Sequence, residues 1–364
     1  MVSIIKWNWQ QEDWPSWRFE SDALQAMEQD FLLGSGRLAG AWQHLSQSHQ
    51  DQLKVSLLSD EAMKSSEIEG EVLDRASVQS SVRRQFGLQA THKTKPAESG
   101  IADLMVACFK SRDMTLDEAT LLGWHGLVCR GRTDLLVGKY RQHADAMQVV
   151  SGSFGHPKVH FEAPPSKDVA KDMQRFFSWL QGTTLPALTK AGLAHLYFVS
   201  IHPFEDGNGR LARAICEHVF TQSLGQPSLL ALSRQIEKNR TQYYDALEAN
   251  NKRMEVTPWL IWFAQTTLKA QKYSADLIEH IIAKTHLFDR LRGQINARQE
   301  KALIRMFDAG PDGFTGGLSA KNYMTITDAT SATTTRDLGD LVTKGALRRM
   351  GDRRATRYWL DISL

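Results

Sequence analysis

Residues 202–213 read His-Pro-Phe-Glu-Asp-Gly-Asn-Gly-Arg-Leu-Ala-Arg. The stretch carries a titratable base, carboxylates, a two-glycine turn and two arginines. His202 alone in it has an ordinary pKa near neutrality, which makes it the natural general base. Gly207 and Gly209 have no Cβ, so the backbone there can approach a pyrophosphate closely. Asn208 tolerates left-handed backbone angles and offers an amide donor. Arg210 and Arg213 are three apart and share a helix face, where two guanidinium forks could hold successive phosphates. Asp206 beside a phosphate site is repulsive unless a hard cation sits between them. Mg²⁺ fits one carboxylate, phosphate oxygens and water.

These groups need elements to position them. Residues 191–201 have helical composition, with apolar side chains at Leu193, Leu196, Tyr197 and Ile201; residues 211–220 repeat the pattern with Leu211, Ile215 and Val219. The motif is therefore a loop ending one helix and opening another. A glycine turn at a helix N-terminus leaves free N–H groups and a positive dipole end, an anion site. Each fragment alone reads as an ordinary turn, loop or solvated face; together they form one constellation.

At this point the sequence resembles the Fic family, whose signature His-Pro-Phe-x-(Asp/Glu)-Gly-Asn-(Gly/Lys)-Arg it matches without a mismatch from His202 to Arg210. The resemblance implies a compact helical domain that transfers AMP from ATP to a Ser, Thr or Tyr hydroxyl of a protein. It implies that His202 deprotonates the hydroxyl, which attacks the α-phosphate as pyrophosphate leaves. It gives Asp206 to Mg²⁺ and Gly207, Asn208, Gly209 and Arg210 to the nucleotide, a run that continues through Leu211, Ala212 and Arg213. Phe204 becomes a core anchor, and Glu205, at the variable position, receives no role. Gly209 stands where the kinase-like Doc branch carries Lys, which favours nucleotidyl transfer.

Upstream, Ser65-Ser-Glu-Ile-Glu-Gly70 matches the family's inhibitory pattern (Ser/Thr)-x-x-x-Glu-(Gly/Asn). The resemblance implies an inhibitory helix N-terminal to the core, with Ser65, Glu69 and Gly70 in the motif and Glu69 paired with Arg213. The arginine meant for the γ-phosphate would then be satisfied by a carboxylate. The plainer reading is a charged helix end closed by Gly70. Residues 137–141 and 147–151 read as extended sequence before a turn over 152–157. They resemble the family's flap, a hairpin that takes up a target segment as an added strand. Tyr243, Tyr244 and Asn251 resemble the adenine and ribose contacts, with core packing as the competing role for one tyrosine.

The 364 residues are 42% hydrophobic and 23% charged, with a net charge of +3, ordinary for a globular protein and too weak a charge to name a partner. Cys108, Cys129 and Cys216 are an odd set without metal-like spacing and are expected as reduced, buried thiols. No apolar run reaches the length of a membrane span, and the first residues lack the pattern of a signal peptide. A cytoplasmic location is expected, with no membrane partner.

Three regions are expected: a Trp-rich helical start over 1–85, a catalytic domain over 86–290 and a third domain over 291–364. Trp7, Trp9, Trp14 and Trp17 are read as packing rather than as an exposed patch. The 24–66 segment reads as helical and 91–100, rich in polar residues with Pro and Gly, as a loop. The last region shows three helical stretches and then a two-stranded pattern, a winged helix-turn-helix order. In it, residues 344–357 hold six basic residues against the single acid Asp352, a local charge of +5. The expected fold is thus mainly α: a Fic-type helical core with a β-hairpin flap, plus a C-terminal winged helix-turn-helix domain. The expected partners are a target protein docked on the flap, a second copy of the chain in a homodimer and, through the winged helix, DNA. Two functions stand open. One is a protein adenylyltransferase using ATP and Mg²⁺, autoinhibited by Glu69 and able also to remove AMP. The other is a DNA-binding regulator with a sensory or vestigial Fic domain. The intact His202 and Asp206 favour the first.

Overall fold

The computed structural model describes residues 6–151, 158–314 and 316–362, so the expected turn over 152–157 lies outside the described residues. The chain forms two compact units. One comprises residues 1–44 and 50–272, the other 45–49 and 273–364.

In chain order the helices are α1 (Asp22–His44), α2 (Gln47–Ile68), α3 (Arg75–Gln85), α4 (Pro96–Phe109) and α5 (Glu118–Val128). A hairpin follows, β1 (Gln148–Ser151) and β2 (Lys158–Glu162), and then α6 (Ser166–Gly182), α7 (Ala187–Ile201) and α8 (Asn208–Leu224). Next come α9 (Leu232–Lys238), α10 (Arg240–Asn250), α11 (Thr257–Arg290), α12 (Ala297–Phe307), α13 (Ala320–Thr327) and α14 (Ser331–Thr343). A second hairpin, β3 (Leu347–Met350) and β4 (Arg357–Leu360), completes the order. No described helix is long and apolar enough to cross a membrane. All three cysteines are free and buried.

In the larger unit α7 and α8 are the centre. Every α7 residue except Lys190 and Val199 is buried, as expected of a helix apolar on all sides. Its N-terminal donors cannot be capped by Pro186. Glu28 of α1 does so instead, accepting from Leu188 N (3.1 Å), Thr189 N (2.8 Å) and Thr189 Oγ1 (2.8 Å). Glu61 of α2 serves α9 in the same way, both its oxygens accepting from Ser233 N at 2.9 Å. One apolar core runs from Leu24 to Ala264 and draws on α1 through α11.

The tryptophans of the start pack, as the sequence suggests. Trp7 meets Phe161 of β2 edge-on at 5.4 Å, Trp9 donates to the Glu162 carbonyl at 2.6 Å, and Trp14 and Trp17 lie against Tyr197 of α7.

Two local expectations are corrected. Residues 137–141 are a turn rather than a strand: Gly138 takes a φ of 69°, and its N–H donates to His125 Nδ1 at 2.8 Å. The hairpin instead pairs β1, within the expected 147–151 segment, with β2 in antiparallel register, Val149 opposite Phe161 and Ser151 opposite Lys158, with an irregularity between Val149 and Val150. The 91–100 stretch is a loop only at first, since α4 begins at Pro96. Proline suits a first helical position, where its missing N–H costs nothing.

The smaller unit has its own core, built on Leu303, Met306, Phe307, Tyr323, Leu338, Leu341 and Leu347. Leu318 adds a bridge to Tyr358 beside the β3–β4 hairpin. Asp337 of α14 is a buried hub that accepts from Arg298 Nε (2.9 Å) and the Tyr323 hydroxyl (2.9 Å).

Candidate active site

The 202–213 motif joins α7 to α8. His202 closes α7 in the left-handed conformation, φ 50°, with its N–H on the Phe198 carbonyl at 3.0 Å. Gly207 precedes α8, also left-handed, at φ 84°. Asn208 is therefore a helical residue, not the left-handed one. Its side chain closes the loop, accepting from Phe204 N at 3.0 Å and donating to Phe204 O at 2.8 Å. Phe204 is fully buried and stacks on His125 at 4.0 Å, which anchors the loop from below. Glu205 accepts from Leu136 N at 3.0 Å.

Two residues without a sequence signal hold this loop. Arg141 is buried and donates to the carbonyls of His202 (2.8 Å) and Pro164 (2.5 Å). His125 receives the Gly138 N–H on Nδ1, so its ring proton sits on Nε2 and faces the Asp206 carbonyl at 3.2 Å. Removal from water, and then the Arg141 charge, push the His202 imidazole down to about 4, so the ring is neutral at physiological pH and able to take a proton.

The charged groups form a chain of ion pairs. The Asp206 carboxylate faces Arg210 at 3.3 Å and Arg132 at 3.0 Å and accepts from Gly207 N at 2.6 Å. Burial raises its pKa, but Arg210, the Gly207 N–H and Arg132 outweigh that and hold it below the usual carboxylate range. Arg213, 1% exposed, donates to Ser65 Oγ (2.9 Å), Ser65 O (2.7 Å) and Glu69 Oε1 (2.8 Å). Glu69 follows the last turn of α2, and Gly70, at φ 85°, turns the chain there. A Cβ on Gly209 would lie 2.2 Å from Glu69 Oε1, so the carboxylate occupies the space that glycine leaves open at the start of α8. Two residues on, Glu71 pairs with Arg210 at 2.7 Å. Two donors of these buried arginines, Arg210 Nε and Arg213 Nη1, have no partner among the described residues.

A cavity of about 490 Å³ opens here, lined by Glu69, His202, Gly209, Tyr243, Tyr244 and Asn251, with Val149, Val150 and Ser151 of β1. Tyr243 is 2% exposed with its hydroxyl against His195 at 3.1 Å, so it is the core aromatic of the pair. Tyr244 is more open and donates to the Ile68 carbonyl at the end of α2, 3.1 Å away. Asn251 Nδ2 donates to the His160 carbonyl of β2 at 2.8 Å, while its buried Oδ1 has no partner among the described residues. From the motif, His202 and Gly209 line this cavity; Asp206, Gly207, Asn208, Arg210 and Arg213 are outside its lining, as are Leu211 and Ala212, which are fully buried in the core. Among the described residues no group of three or more His, Cys, Asp or Glu side chains converges as a metal cluster.

Comparisons with known proteins agree with this architecture. Residues 115–220 match the Fic/DOC family, and residues 7–88 match a domain of unknown function, DUF4172. The Protein adenylyltransferase Fic of Drosophila grimshawi is 34% identical over 133 residues, 35% of this chain and 26% of that protein. That of Drosophila melanogaster is 33% identical, over 35% of this chain and 25% of the relative. The chain thus matches about a quarter of the length of these curated relatives. A Fic family protein of Desulfovibrio desulfuricans superposes with a TM-score of 0.53 at 21% identity, covering 92% of this chain and 95% of the other. A Fic domain containing signaling protein of Bacteroides thetaiotaomicron gives 0.51 at 16% identity, covering 68% and 97%. The fold is the mainly helical Fic fold with small hairpins, and the chain carries a Fic/DOC domain preceded by a DUF4172 domain.

Proposed function

We propose that the protein is an adenylyltransferase that moves AMP from ATP to a protein hydroxyl and that the form described here is its inhibited state. The observation that carries this reading is the Glu69 carboxylate on Arg213, set against Gly209 in the cavity that His202 also lines. A carboxylate there stands in for a phosphate: it is an anion at a helix N-terminus on a buried guanidinium. The unpartnered Arg210 Nε and Arg213 Nη1 are donors suited to further phosphate oxygens.

In the reaction neutral His202 takes the proton of the acceptor hydroxyl. The oxygen attacks the α-phosphorus, a new P–O bond forms, and the bond to pyrophosphate breaks. Arg210 and Arg213 hold the departing phosphates. Asp206 is the carboxylate to hold Mg²⁺, which would neutralise phosphate charge. Phosphate oxygens and water would supply its remaining ligands. To bind it, Asp206 must exchange its contacts with Arg132 and Arg210. The flap strands, with Val149, Val150 and Val159 partly exposed, offer an edge for the target segment. With Glu69 in place, γ-phosphate and carboxylate compete for Arg213 and the α-phosphate is misaligned.

The test is transfer of α-labelled AMP in the presence of Mg²⁺. Glu69→Gly should raise labelling, including self-labelling, and adding His202→Ala should abolish it. Equal labelling by the wild type and Glu69→Gly sinks the inhibitory reading. A pre-modified target that loses AMP more slowly with Glu69→Gly assigns that carboxylate to the reverse reaction as well.

A second reading has its own observation. In the smaller unit α14 exposes Ser331, Thr335 and Arg336, and β3 exposes Arg348 and Arg349. Hydroxyls at a helix start with arginines on a hairpin suit a DNA backbone in a winged helix. DNA retention at physiological salt without any AMP transfer would favour this regulator.

A further inference from the structure

We infer that Glu71 is a second carboxylate gate on the nucleotide site, holding Arg210 off the phosphate it would otherwise bind while Glu69 holds Arg213. The inference rests on the nucleotide reading given above. Arg210 is 6% exposed, so it cannot trade Glu71 for water freely. Its Nη1 lies 2.7 Å from Glu71 Oε2, a closer contact than its 3.3 Å approach to Asp206. A charge-assisted bond on a desolvated guanidinium is among the stronger polar contacts a protein makes.

The backbone explains how two carboxylates reach two arginines. After α2 ends at Ile68, Gly70 takes the left-handed conformation, and the Glu71 N–H returns to the Ser66 carbonyl at 3.0 Å. The turn pins residue 71 to the same last turn of α2 that carries Glu69. On α8, Arg210 and Arg213 are three residues apart, so they face the same side. One short segment therefore covers both guanidiniums, and a nucleotide must break the Glu71 pair as well as the Glu69 pair. Glu71 is a positioning residue: it acts on phosphate through Arg210 and needs no contact with the reacting atoms.

The phosphate count of the ligand separates the two gates. If Arg213 serves the terminal phosphate of ATP and Arg210 an inner one, Glu71→Gln strengthens binding of both ADP and ATP, on the order of tenfold. AMP affinity stays unchanged. Glu69→Gln strengthens ATP binding more than ADP binding, and the double variant binds ATP more tightly than either single one. Calorimetric titration of the full chain with AMP, ADP and ATP in Mg²⁺ reads all of these. Glu71 is 36% exposed, so the variant should fold. Glu71→Asp, one methylene shorter, gives an intermediate ADP affinity and serves if the Gln variant does not fold. Unchanged ADP affinity in the Glu71 variants, with ATP binding still tightened by Glu69→Gln, overturns the role of Glu71 and leaves the site reading intact. No binding of any nucleotide by any variant, the double one included, overturns both. Tighter ADP binding without AMP transfer keeps the gate and removes the transferase.

Discussion

At His202 desolvation and the Arg141 charge act in the same direction, and both disfavour the imidazolium. The acid limb of the transfer rate should therefore lie near 4 rather than at the ordinary imidazole value. In Glu69→Gly, transfer should stay nearly level from pH 8 down to about 5 and then fall. Losing the Glu69 charge, which lifts the pKa, acts to lower the limb. An initial-rate profile falling instead through the ordinary imidazole range would show that His202 is not desolvated as described. Gly209 sets a second constraint. An added Cβ meets the Glu69 carboxylate at 2.2 Å, in the space that a phosphate would need. Gly209→Ala should therefore loosen inhibition without a gain in transfer. Combined with Glu69→Gly, it should lower kcat by roughly tenfold or more through misplacement of the nucleotide, in a single-turnover assay.

Between elements, the contact of α2 with α8 carries two deeply buried acids, Glu61 and Glu217. Burial, and for Glu217 the neighbouring Glu61, push both pKa values up, and Glu217 Oε1 has no partner among the described residues. A raised folded-state pKa stabilises the fold fully below the ordinary carboxylate value, and that stability is lost as pH rises through the raised one. Thermal stability should therefore decline from mildly acid to alkaline pH. Glu217→Gln should flatten the decline and be more stable than the wild type at pH 9, by on the order of 1–3 kcal/mol. A parallel decline in the variant would assign the slope to other groups.

How much of this was legible depended on distance along the chain. The motif, its flanking helices and Glu69 opposite Arg213 were readable because each is a local string or a match to a family pattern. Arg141, Arg132, His125 and Glu71 were not, because their partners lie 61 to 139 residues away. The 137–141 segment misled because β-branched and aromatic composition says nothing of a glycine held left-handed by a distant histidine. Nor could Gly209, which lines the cavity, be told from its neighbours on α8, which do not, since a helix start shows which residues come first but not which way they face.

On the scale of the whole chain, each of the two units has a core of its own, so two unfolding transitions are expected rather than one. Leu341 is fully buried in the smaller core. Leu341→Ala should destabilise that unit by about 2–5 kcal/mol and leave ATP affinity at the wild-type value. Calorimetry should show one transition moving while the other holds, and a single shifted transition would mean that the units unfold as one. The two-unit division is only partly visible in the sequence. The change of pattern after residue 290 is readable, but α11, an unbroken helix over Thr257–Arg290, gives no composition signal for where one core stops.

The carboxylates on Arg210 and Arg213 also bear on the rate at which ATP arrives. On the proposed reading, while Glu69 and Glu71 are seated the charges of these two guanidiniums are cancelled at short range and add little to the attraction of an approaching polyanion. If the segment is released as proposed, two uncompensated positive charges should attract nucleotide over roughly a Debye length, about 8 Å at physiological salt. Association with the inhibited form should therefore be slow and indifferent to ionic strength. Association with the released form should be fast at low salt and slow progressively as salt is added. The salt dependence of the on-rate then reports how far the gate stands open, independently of any chemistry in the site.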